Sequence, residues 1–190
     1  MKIAHIAAAF MILALAACGR QDHAFHATDV TGALPALDFA LTRANDGRAV
    51  GAGDYRGKVA ILYFGYTHCP DICPTTLANL AEMLSKLGPK ANDVRVLFVT
   101  VDPERDTLAT MKGYVHSFAP QVDGLRGTPD ELTALTRRYR VAFSVTAGPP
   151  YEVMHSNAVF FFDRTGRARL VSTDVSKAED VAADVGKLMQ

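Results

Sequence analysis

A chain of 190 residues, 49% hydrophobic and 21% charged, can bury one compact core and leaves little room for a second domain. Its 20 basic side chains equal its 20 acidic ones and are scattered among them. That pattern gives neither the basic face expected of a nucleic-acid binder nor the acidic tract of a disordered tail, so nucleic acid is not an expected partner.

The N-terminus carries Lys2 and then an apolar run from Ile6 to Ala17. This run is shorter than the ~20 residues that a helix needs to cross a bilayer, and it reads as a signal peptide over residues 1–17. Leu15-Ala16-Ala17-Cys18 resembles the bacterial lipobox, whose cysteine becomes the lipidated first residue of the mature protein. The resemblance makes Cys18 a lipid anchor; the alternative is ordinary cleavage after Ala16-Ala17, leaving a free thiol. Either way the mature chain is exported, with the periplasmic face of the cytoplasmic membrane as its expected location. Gly19 lacks the aspartate that commonly retains lipoproteins there, which leaves outer-membrane sorting open. An exported protein meets an oxidising space, in which neighbouring thiols tend to pair.

Residues 18–34 are polar and irregular and read as a lipidated tether, with His23 and His26 as solvated linker histidines. A single domain is expected over 35–190. "LDFALT" alternates, Asn45-Asp46-Gly47 signals a turn, and "RAVGAGDYRGK" completes a hairpin ahead of the main sheet. Val59 to Tyr66 is a continuous β-branched and aromatic run, as in a strand covered on both faces. Leu77, Leu80, Ala81, Leu84 and Leu87 then recur at helical spacing, with Pro74 in the first turn and Gly88-Pro89 as the stop.

Val94 to Val101 predicts a second buried strand, and "DPERD" turns the chain into a helix bearing Leu108, Met111, Val115 and Phe118. Thr128-Pro129-Asp130-Glu131 is a capping box opening the next helix, and Ser176-Lys177-Ala178-Glu179 reads as another opening the last. Between these two helices, strands at Asn157–Asp163 and Arg167–Ser172 form a hairpin about Arg164-Thr165-Gly166. The order βαβα(α)ββα predicts a thioredoxin-like α/β sandwich with an N-terminal hairpin extension and an inserted helix.

Cys69 and Cys73 lie four apart where the first buried strand feeds a helix, the end of an α/β sheet at which sites collect. A helix N-terminus favours thiolate, so both thiols are expected to ionise more easily than free cysteine. A structural staple over so short a loop would contribute only ~2 kcal/mol. Dithiol exchange is a second reading, although thioredoxin-type pairs have two intervening residues and this one has three. Peroxiredoxin chemistry fits less well, since Thr67 is misplaced for it and no arginine lies near the pair in sequence. The third reading is metal: two thiolates and one further ligand make a soft site suited to Cu(I), whereas structural zinc takes four. His155, in "PPYEVMHSN" and in a loop just before a strand, is the candidate third ligand; a satisfied loop histidine is the plain alternative. His68 points away from a shared site by its position beside Cys69, His116 reads as ordinary surface or core, and Met154 reads as a packing residue rather than a thioether ligand.

Three stretches, "FGYTHCPDICPTTL" (Phe64 to Leu77), "VTVDPERDT" (Val99 to Thr107) and "MHSNAVFFFD" (Met154 to Asp163), are together similar to the Sco/SenC family of copper proteins. The resemblance implies that Cys69, Cys73 and His155 bind Cu(I) and Cu(II). It implies a metallochaperone that supplies or prepares the binuclear copper centre of cytochrome c oxidase, with that subunit and a thiol reductant as partners. An enzyme reading stands beside it, in which Cys69 and Cys73 are the redox pair of a thiol-disulfide oxidoreductase keeping the oxidase cysteines reduced. A copper or redox sensor is a third. Many members carry aspartate where Met154 stands and a transmembrane helix where a lipid would serve here. Asp102 and Asp106 belong to the second motif but read as a turn and a helix N-cap, not as ligands.

Overall fold

The computed structural model describes residues 25–190 except Ala147 and Pro150, and at Glu152 the main chain alone. The expected signal peptide, Cys18 and His23 lie outside the described residues. The strands are β1 (Thr28–Asp29), β2 (Ala40–Arg43), β3 (Ala49–Gly51), β4 (Val59–Gly65), β5 (Val94–Thr100), β6 (Val122–Arg126), β7 (Phe143–Thr146), β8 (Glu152–His155), β9 (Val159–Phe162) and β10 (Ala168–Ser172). The α-helices are α1 (Ile72–Leu87), α2 (Leu108–His116), α3 (Pro129–Arg138) and α4 (Ala178–Leu188).

Among the described residues, eight strands form one mixed sheet in the order β1-β10-β9-β4-β5-β6-β2-β3, while β7 and β8 pair only with each other. Central β4 runs parallel to β5 and antiparallel to β9. Strand alternation sends Val59, Ile61 and Tyr63 to one face, where they pack with side chains of α1, α2 and α4. It sends Ala60, Leu62 and Phe64 to the other face, beneath α3 and the N-terminal hairpin. Every residue of β4 is buried, which is why its sequence is apolar without a break. The architecture is a thioredoxin-like α/β sandwich, and the predicted hairpin is present as β2 and β3 at one sheet edge.

Three expectations need correction. Strand β6 separates α2 from α3, so the two helices do not follow one another; the insertion is a strand with its helix. Its sequence, VDGLR, has no strand pattern because Asp and Gly are poor strand formers. Tertiary contacts override that preference: the Tyr55 hydroxyl donates to buried Asp123 at 3.0 Å, and a Cβ at Gly124 would touch Ala44, Met111 and Val115, each 3.4 Å away. The Ser176 capping box is not formed. Helix α4 starts after Lys177 without a side-chain cap, because Asp174 holds the Ser176 N–H in a turn at 2.8 Å and Glu179 pairs with Lys86.

Residues 25–34, expected as the far part of a tether, are docked on the domain. The His26 and Ala27 N–H groups donate to buried Asp184 of α4 at 2.9 and 2.8 Å, and β1 pairs with β10. A buried carboxylate with such donors fixes the chain entry to the C-terminal helix. No helix among the described residues is long and apolar enough to cross a membrane.

Candidate metal centre

Strand β4 ends at Gly65, the chain turns through Tyr66 to Asp71, and α1 begins at Ile72. The Cys69 N–H donates to the Tyr66 carbonyl at 3.3 Å, and the Cys73 N–H points at Cys69 Sγ at 3.5 Å. Pro74 falls in the first helical turn, where a missing N–H removes no intrahelical bond. Cys73 is fully buried against β4, and Gly65 makes that possible. A Cβ there would stand 2.9 Å from Cys73 Sγ and 2.7 Å from the Phe98 ring.

The loop is held from the side by Asp106, which is fully buried. Its carboxylate accepts the Thr67 N–H at 3.0 Å, the Thr67 hydroxyl, and the Thr100 hydroxyl at 2.6 Å. Asp106 is therefore not the N-cap of α2. Thr107 is, accepting the Thr110 N–H at 3.1 Å. The partners of Asp106 lie in β5 and in the cysteine loop, a tertiary arrangement that a turn signal cannot show.

His155 ends β8, opposite Phe143 of β7, so it stands on a hairpin strand and not in the loop expected for it. Its Nε2 lies 3.2 Å from Cys73 Sγ, and its Nδ1 lies 2.9 Å from the Ser156 carbonyl. A carbonyl accepts only, so Nδ1 carries the proton and the Nε2 lone pair faces the sulfur. Tyr66 meets the imidazole edge-on with ring centroids 5.8 Å apart, and Tyr63 does so at 6.2 Å. The ligand atoms of Cys69, Cys73 and His155 all lie within 4.8 Å of one another.

The thiols are both free and they differ. Burial opposes ionisation at Cys69, but the N–H groups of Asp71, Cys73 and Ile72 and the Cys73 thiol hold it below the ordinary value. At Cys73 burial dominates and pushes the thiol up to about 12. The expectation that both ionise easily thus fails for Cys73, where loss of water outweighs the helix N-terminus. Burial also lowers the His155 imidazole from its ordinary range, against the bond to Ser156.

His68 is half-exposed with Nδ1 3.5 Å from the Asp106 carboxylate, away from the cluster, and His116 is exposed at the end of α2. Met154 is 69% exposed, so it does not pack as expected. It precedes His155 in β8, and strand alternation turns neighbours to opposite faces. Two thiolates and a neutral imidazole make a soft three-donor set that fits copper, while a closed zinc site would need a fourth ligand.

The SCO1/SenC family profile matches residues 29–190. A mitochondrial SCO2 homologue from Bos taurus is 39% identical over 159 residues, covering 80% of this chain and 59% of the relative, so the chain spans little more than half of that protein. The structure of Bradyrhizobium japonicum ScoI with copper bound is 39% identical, covers 80% of this chain and 98% of that one, and superposes with a TM-score of 0.73. Apo Sco1 from Thermus thermophilus is 34% identical, with a TM-score of 0.78 over 88% of this chain and 99% of that one. With fold, motif order and extent in agreement, this chain belongs to the SCO1/SenC family.

Proposed function

We propose that this protein is an extracytoplasmic copper metallochaperone, tethered by a lipid on Cys18, that supplies or prepares the binuclear copper centre of cytochrome c oxidase. The observation that carries the reading is the convergence of Cys69 Sγ, Cys73 Sγ and the His155 ring within 4.8 Å on an otherwise apolar framework. The family membership and the copper-bound relative support copper as the cargo.

Oxidation in the exported compartment closes Cys69 and Cys73 into a disulfide, and a thiol reductant reopens it. Copper then displaces the thiol protons and binds as a bis-thiolate, with the free Nε2 lone pair of His155 as third donor. Three donors leave the ion open to an incoming ligand from the recipient, so handover proceeds by exchange and needs no unfolding. Titrating the reduced chain with Cu(I) and Cu(II) separately should give one ion per chain in each state. His155→Ala should weaken Cu(II) binding about tenfold or more while dithiol exchange persists. Undiminished Cu(II) binding in that variant would remove His155 from the site.

A second reading, a thiol-disulfide oxidoreductase acting on the oxidase cysteines, is favoured by the unequal thiols. Cys69 lies nearer the surface and ionises more readily, as an attacking sulfur must, and Cys73 is buried behind it as the resolving one. Retention of full function in vivo by His155→Ala would favour this reading over copper delivery.

A further inference from the structure

The second family motif places Asp102 and Arg105 at the carboxyl end of β5, outside the ligand set. Asp102 is 1% exposed. A carboxylate buried to that degree needs partners, and both of its oxygens have one. Oδ1 accepts the Tyr151 hydroxyl at 2.8 Å, and Oδ2 accepts Nε of Arg105. The Arg105 guanidinium in turn lies over the Tyr151 ring, 3.9 Å from its centroid, and 5.8 Å from the centroid of Tyr66. Tyr66 is the residue whose ring meets His155 edge-on. Tyr151 belongs to the connection between β7 and β8, the hairpin that ends in His155.

That hairpin makes no ladder with the main sheet, and β7 is largely exposed. Backbone pairing alone therefore does not fix where His155 stands relative to the thiols. The same short turn, Asp102 to Asp106, reaches both ligand-bearing elements. Asp106 grips the cysteine loop through Thr67, and Asp102 with Arg105 grips the histidine hairpin through Tyr151. Arg126 holds the turn itself, donating to the Pro103 and Asp106 carbonyls at 2.8 and 3.0 Å.

We infer that Asp102, Arg105 and Tyr151 form a clasp that sets the position of His155 over Cys69 and Cys73. They are positioning residues for the third ligand. The inference rests on the copper reading for its consequence in metal binding, and on the hairpin contacts alone for its consequence in the metal-free protein. A clasp of one charge-assisted hydrogen bond and one stacked guanidinium holds the histidine in the resting state yet can be undone during handover.

Tyr151→Phe removes the hydroxyl and keeps the ring. In the metal-free full chain, amide exchange of residues 152–155 should accelerate about tenfold, the effect of losing one hydrogen bond to a charged group, while β4 and α1 exchange as before. In the copper-loaded chain, Cu(II) should dissociate about tenfold faster from Tyr151→Phe than from the parent. In a His155→Ala background, adding Tyr151→Phe should leave the Cu(II) dissociation rate unchanged, because the clasp acts on the metal only through His155. Unchanged hairpin exchange in the metal-free chain overturns the clasp. So does an equal Cu(II) effect with and without His155. A parent chain that binds no copper defeats the copper reading and leaves the exchange measurement to decide the clasp.

Discussion

The two halves of the candidate metal centre are built differently. Cys69 and Cys73 sit between the most buried strand of the sheet and a sixteen-residue helix, with Asp106 locking the intervening loop. His155 sits at the end of a two-stranded ribbon that, among the described residues, forms no ladder with the main sheet, and it is held by side-chain contacts through Tyr151 and by aromatic edges. The thiols thus depend on the main sheet and its helix, and the imidazole on side-chain packing of the ribbon, including Phe143 and Val153 against the core.

The largest test of that contrast lies within the rigid half. Cys69 is held below its ordinary thiol range and Cys73 is pushed up to about 12, so Cys73 carries much less thiolate at neutral pH. Its greater intrinsic nucleophilicity offsets part of this, but Cys69 should remain clearly the faster toward iodoacetamide even before burial is considered. Peptide mapping after brief alkylation of the reduced metal-free chain measures the ratio. Equal labelling would mean that the buried sulfur is as available as its neighbour.

Next in size is Gly65→Ala, which tests how closely Cys73 is packed. The added methyl would meet Cys73 Sγ at 2.9 Å and the Phe98 ring at 2.7 Å. Overpacking of this kind costs about 1–3 kcal/mol and should appear as a lower denaturation midpoint, with Cys73 alkylated faster than in the parent. Unchanged stability would show that Cys73 is not closely packed against the strand.

The smallest effect is a pH dependence from the histidine half. Burial lowers the His155 pKa in the folded protein, so in the unfolded chain its imidazole takes up a proton at higher pH, near the ordinary ~6.5. The stability contribution of the neutral buried ring is therefore complete above that value and is lost as pH falls from it toward the lower folded one. Melting the metal-free chain between about pH 7.5 and 5 should show a steeper loss in the parent than in His155→Gln. Parallel curves would place the ring in water and not in the site.

Cys69, Cys73 and His155, which the structure brings together, can be picked out from residue type, spacing and motif resemblance, and so can the sheet beside them. Val59 to Gly65 and Val94 to Thr100 announce buried strands because both their faces are covered, and the helix after Cys69 announces itself by its leucine repeat. Strand β6 was not legible, since Asp123 and Gly124 are there for Tyr55 and for close helix packing. The role of Asp106 was hidden for the same kind of reason. It follows a turn in sequence, but its partner Thr67 is 39 residues away.

The amino-acid pattern by itself determined which groups can act as soft ligands and where strands and helices fall, because burial and periodicity are local properties of the chain. Only the tertiary structure decided the chemical inequality of the two thiols, the placement of His155 on a separate ribbon, and the clasp between Asp102, Arg105 and Tyr151. Each depends on how much water is excluded and on contacts between residues far apart in sequence, quantities that no short stretch of sequence contains.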